Sequence, residues 1–97
     1  MYAVVRMYEM AEDWDVTLVR RLTEDFLPTI EQVPGFVSYC AMEAGQRLFC
    51  SVTVFDARGG AEESNRLAGD YVQRHLADRF PTSPEITSGR VVAFKTA

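Results

Sequence analysis

Two adjoining segments, Phe36–Glu43 and Arg47–Phe55, constrain this chain more than any other feature, because they are apolar on both faces. The three residues between them, Ala44-Gly45-Gln46, have the length and composition of a hairpin turn. With that turn, position i pairs with 90 − i and Cys40 stands opposite Cys50. One face then carries Phe36, Ser38, Cys40, Met42, Leu48, Cys50, Val52 and Val54. The other carries Val37, Tyr39, Ala41, Phe49, Ser51, Thr53 and Phe55. An antiparallel sheet with one wet face alternates apolar and polar side chains, and this hairpin does not. Both faces therefore need cover. Helices supply one cover, and a second copy of the same sheet is the simplest candidate for the other.

The flanking sequence supplies the helices. Residues 2 to 8, rich in Val, Tyr and Met, read as a first strand. Asp13 and Asp15 offer cap and first-turn acids for a helix whose apolar positions are Leu18, Val19, Leu22, Phe26, Ile30 and Val33. Pro28 falls inside that pattern and is expected to kink or split the helix. Pro34-Gly35 closes it. A second helix is expected from the Asp56 and Gly59-Gly60 region to about Phe80, where Pro81 and Pro84 stop it. Ile86 to Lys95 reads as the last strand, with Gly89 an irregularity near its start. The resulting βαββαβ order is the ferredoxin-like α+β arrangement with a four-stranded antiparallel sheet. At 97 residues the chain has the size of one domain, residues 1–97, and a modest core that self-association would help to stabilise.

Charge narrows the partners. Acidic side chains outnumber basic ones by 14 to 10, and Arg20-Arg21 is the sole adjacent basic pair, so nucleic acid is not an expected partner. No apolar run approaches the roughly 18 residues of a membrane span, so no membrane association is expected either. The N-terminal residues read as a strand instead of a secretion signal, which makes the cytoplasm the expected compartment. There the two cysteines are expected to be reduced, apolar-packing thiols. One histidine and two thiols do not make a standard zinc set, and no metal is expected. No dinucleotide or phosphate-cradling glycine loop and no GxSxG elbow is present. The acidic pairs Glu12-Asp13 and Glu62-Glu63 suit helix starts.

The second helix holds the more interesting polar residues. At 100° per residue, Leu67, Tyr71, Ser64, His75, Ala68, Ala61, Val72, Asn65 and Leu76 share one arc of about half the circumference. His75, the only histidine, sits near mid-arc with Tyr71 one turn before it. Two readings stand side by side. His75 is a proton acceptor facing a pocket between helix and sheet, or a core histidine satisfied by Tyr71, a carbonyl or water. Trp14, Tyr39, Ser64 and Arg6 are further pocket candidates. Three of them also have a structural explanation: a core edge or dimer contact for Trp14, an interface for Tyr39, and a sheet edge or a pairing with Glu9 for Arg6.

The run Pro34-Gly35-Phe36-Val37-Ser38-Tyr39 after an amphipathic helix resembles the antibiotic biosynthesis monooxygenase-like family. The blocks Val52-Thr53-Val54-Phe55-Asp56 and Gly60-Ala61-Glu62-Glu63-Ser64-Asn65 are similar to stand-alone members of it. The resemblance covers essentially the whole chain. It implies a dimeric α/β barrel of two ferredoxin-like protomers with their sheets face to face. It also implies a cofactor-independent monooxygenase that oxidises a small phenol or quinol with oxygen, without metal or flavin. His75, Tyr71 and Asn65 would then be the catalytic residues, and Trp14, Tyr39, Ser64 and Arg6 the substrate-binding ones. The Asn, Trp and His pattern of haem-degrading members is incomplete here, since only His75 matches. The Asn-to-Trp spacing of quinol-oxidising members fails at Gly69. A non-catalytic ligand-binding or stress-related dimer and a proton-transfer isomerase remain open beside the oxygenase.

Overall fold

A computed structural model describes all residues, 1–97, and shows β1 (Tyr2–Glu9), α1 (Val16–Arg21), α2 (Leu27–Glu31), β2 (Phe36–Gly45), β3 (Leu48–Phe55), α3 (Arg58–His75) and β4 (Glu85–Arg90). The strands form one antiparallel sheet in the order β2-β3-β1-β4. This is the expected ferredoxin-like α+β fold. No helix is long and apolar enough to cross a membrane.

Asp15 caps α1, its side chain accepting from the Leu18 N–H at 2.8 Å. Between α1 and α2 the chain widens into a π-helical stretch, Leu22–Phe26, and the Leu27 N–H bonds back to the Leu22 carbonyl. Pro28 explains the widening. It has no N–H to donate, and its ring would collide with the carbonyl four residues earlier in a regular helix. The expected kink is thus spread over one wide turn that keeps Leu22, Phe26 and Ile30 buried.

The helices cover only one face of the sheet. Val4, Arg6 and Tyr8 of β1 pair with Thr53, Ser51 and Phe49 of β3, and all six are buried. Val4 joins one apolar cluster, with Phe26, Ile30 and Phe55, and Tyr8 and Phe49 join the other, with Leu18, Leu22 and Phe80. Neither cluster includes Ala3, Val5, Met7, Leu48, Val52 or Val54, which point to the opposite face.

Three expectations need correction. The hairpin turns at Gln46-Arg47, which shifts each partner by two: Cys40 pairs with Val52 and Cys50 with Met42, and the cysteines are not opposed. The chain takes up the difference in two bulges, at Val37 and Ala44, and the first brings Phe36 to the same side as Tyr39. The second helix ends at His75 instead of near Phe80, because the chain leaves helical geometry at Leu76 and turns to bury Leu76 and Phe80. The last strand stops at Arg90, and residues 91–97 run on without regular structure.

Candidate functional site

Where the two clusters meet, a cavity of about 20 Å³ lies between sheet and helices. Its wall is mostly aromatic and aliphatic: Tyr8, Phe26, Phe49, Tyr71, Leu76 and Phe80 among others. Arg6, Tyr39 and Ser51 line it from the sheet side. That volume is enough for one water molecule and too small for an aromatic ring.

Arg6 is the anomaly. It is 1% exposed and belongs to none of the ion pairs. Its guanidinium donates to Asn65 Oδ1 at 3.1 Å and, at the long limit of 3.4 Å, to Thr53 Oγ1. Both acceptors are neutral. Burial lowers its pKa, an effect that the nearby Tyr8 and Tyr39 rings oppose, yet an arginine stays charged under any such shift. A cation held without a carboxylate partner is costly; Arg6 is neither at a sheet edge nor paired with Glu9 but shares the buried face of Val4 and Tyr8.

Tyr39 faces the same space. Its hydroxyl is buried and has no hydrogen-bond partner. Burial pushes its pKa to about 12, against the pull of the Arg6 charge, while the neighbouring Ser51 tempers the rise without reaching hydrogen-bond geometry. Tyr8 is raised for the same reason of burial. Tyr71, half-buried, is raised by burial and by Asp25, to which its hydroxyl donates at 3.3 Å. The tyrosines are thus protonated donors at neutral pH, and the cavity pairs one fixed cation with them.

The structure scatters the other sequence candidates. His75 is exposed and does not line the cavity. It sits at the last residue of α3, beyond the stretch in which Ala61, Ser64 and Ala68 are buried. Its ring packs on Tyr71, centroids 4.9 Å apart. Ser64 is fully buried, and its hydroxyl donates to the Ala61 carbonyl at 2.7 Å within its own helix. Trp14 stacks on Phe49 and donates to the Leu48 carbonyl at 3.1 Å, bracing the hairpin from outside the cavity. Asn65 holds Arg6 without lining the cavity. Arg6, Tyr39 and Tyr71 are therefore the candidates that the fold brings together. Ser51 and Tyr8 were missed as site residues. The signal for both was their shared parity with Arg6 across the β1–β3 pair.

No protein-family model matches the chain, and no curated protein matches it. Solved structures do match. A dimeric ferredoxin-like protein from an uncultured marine organism superposes with a TM-score of 0.68 at 13% identity, covering 100% of both chains. A monooxygenase from the gene ActVA-Orf6 of Streptomyces coelicolor, in complex with the ligand nanaomycin D, gives 0.66 at 13% identity, covering 98% of this chain and 92% of that one. SnoaB, a cofactor-independent oxygenase from Streptomyces nogalater, gives 0.61 at 11% identity, covering 98% and 94%. What these likenesses show is the fold: the chain has the ferredoxin-like fold that these structures share, monooxygenases of the antibiotic-biosynthesis type among them.

Proposed function

We propose that this chain is a cofactor-independent monooxygenase acting on a small phenol or quinol, with the cavity under α3 as its substrate site. The observation that carries the reading is a cavity walled by aromatic rings with the charge of Arg6 buried at its sheet side. Such a wall suits an aromatic ring, and a few fixed polar groups suit its oxygen. An ionised phenol is electron-rich enough to react with dioxygen itself. The substrate gives up all four electrons that reduce the oxygen molecule. One oxygen atom bonds to the ring carbon opposite the hydroxyl, and the other leaves as water with the hydroxyl and ring hydrogens, giving a quinone. A ring enters only if the wall moves. Tyr71 is the mobile wall in this reading, since it is half-buried and held by bonds of 3.3 and 3.4 Å to Asp25 and the Arg21 carbonyl.

The working unit in this reading is a homodimer of 97-residue domains, two open sheet faces meeting through Val5, Met7, Val52 and their neighbours. The exposed Val92 and Phe94 of the C-terminal segment add apolar surface for a partner to cover.

The binding-only alternative has one observation of its own. The tyrosines of the cavity titrate above their ordinary range and its arginine stays charged, so none of these groups is a base at neutral pH. The proton-transfer reading loses the base it relied on, because His75 lies outside. Oxygen uptake decides between oxygenase and binding module. With a panel of phenols and hydroquinones, one oxygen consumed per quinone formed from a phenol supports the oxygenase; ligand bound without any uptake leaves the binding module.

A further inference from the structure

We infer that Arg6 and Tyr39 form a seat for an anionic oxygen carried on an aromatic ring, so that the cavity selects its ligand by charge as well as by shape. The inference rests on the reading of the cavity as the ligand site, but not on any oxygen chemistry.

An arginine without a carboxylate partner and an unpartnered hydroxyl line one space. A guanidinium has five N–H donors, and the side-chain partners of Arg6 are two neutral oxygens, one of them at 3.4 Å. Its charge, 1% exposed, has no carboxylate beside it. The Tyr39 hydroxyl is a buried donor with nothing to donate to. Both line the same cavity. A cation and an idle donor on residues that line an otherwise apolar chamber are complementary to a single negative oxygen with a ring behind it. The chamber offers no base, so the seat must act on ionisation itself. It favours the charged form of the ligand and thereby lowers the pKa of a bound phenol. An aryl carboxylate presents the same chemistry and would compete for the same seat.

The test uses 4-nitrophenol, whose ionised form absorbs in the visible range, at a pH below its own pKa. The wild-type protein is expected to bring up the phenolate band, shifting the bound phenol's pKa down by about one unit or more. Arg6→Met is expected to abolish the band, and Tyr39→Phe to weaken binding by about tenfold or more. Benzoate should displace the probe while neutral benzyl alcohol does not. Wild-type protein with 4-nitroanisole, which cannot ionise, provides a comparison that does not depend on a variant folding, and it should bind more weakly than 4-nitrophenol. Phenolate binding without oxygen uptake leaves the seat standing and removes the oxygenase. Benzoate binding, tighter than that of benzyl alcohol and dependent on Arg6, without phenolate binding also keeps the seat, and removes the phenol as substrate. If 4-nitrophenol binds as the neutral phenol, if Arg6→Met leaves the band unchanged, or if neither anion binds, the seat is wrong.

Discussion

Arg6 on the first strand donates to Asn65 Oδ1 on α3 at 3.1 Å across 59 positions of sequence, and this bond ties the sheet to the helix that covers it. Asn65→Leu leaves the buried guanidinium short of one acceptor and should destabilise the fold by about 1.5–3 kcal/mol in urea unfolding. Arg6→Met removes the need for the acceptor, so adding it to Asn65→Leu should recover most of that loss. A double variant no more stable than Asn65→Leu alone would show that the charge is satisfied by other means.

Adjacent glycines at the start of α3 should respond in opposite directions. Alanine at Gly59 meets open space and should stabilise by about 0.4–1 kcal/mol through helix propensity. Alanine at Gly60 would put its Cβ 2.7 Å from the Phe55 ring, which is fully buried and cannot yield. That variant should lose about 1–3 kcal/mol. Thermal unfolding of the pair settles it; equal shifts would mean that Phe55 can move.

Tyr39 carries a pH dependence of known sign. Its pKa in the folded protein, about 12, lies above the ordinary tyrosine value, 10.0. The unfolded chain therefore loses the proton first as pH rises, and the stabilisation present below pH 10.0 is lost between there and about 12. Tyr8 and Tyr71, raised as well, add to the same fall. Tyr39→Phe should flatten part of the alkaline decline in unfolding free energy. An unchanged profile would place the loss in other groups.

The open sheet face predicts association. Sedimentation should give twice the chain mass of 10.9 kDa at micromolar concentration, and Val52→Glu at the middle of that face should give the monomer. A wild-type monomer would remove the face-to-face sheets from the proposal.

His75 and Tyr71, whose rings pack at a tilt of 43°, should separate in function. His75→Gln is expected to leave ligand binding unchanged, because the ring lies outside the cavity. Tyr71→Ala removes part of the wall and should admit larger rings. Lost binding in His75→Gln with the fold intact would bring the histidine back into the site.

Alternation and spacing are local properties, and they carried the fold a long way. The two-sided hairpin, the Asp15 cap, the disturbance around Pro28 and the βαββαβ order are all visible in neighbouring residues, since each depends on periods of two or 3.6 within one element. The resemblance at Pro34-Gly35-Phe36 pointed to the same fold. The hairpin register escaped because two bulges at Val37 and Ala44 change the count without changing the composition.

The site was legible only in fragments. Tyr71, Tyr39 and Arg6 were named, but for separate reasons, and His75 was weighed above them because a helical wheel reports azimuth and not depth. What the sequence alone determined is which side chains share a face, not which face meets the helices: parity on β1 puts Arg6 with Val4 and Tyr8. What only the tertiary structure decided is which inward residues meet. Pairing of β1 with β3 set Arg6 beside Ser51, and the arc of β2 swung Tyr39 over the same space. The end of α3 at His75 left the one histidine in solvent. Those distances depend on where elements stop and how they stack, and no local period encodes them.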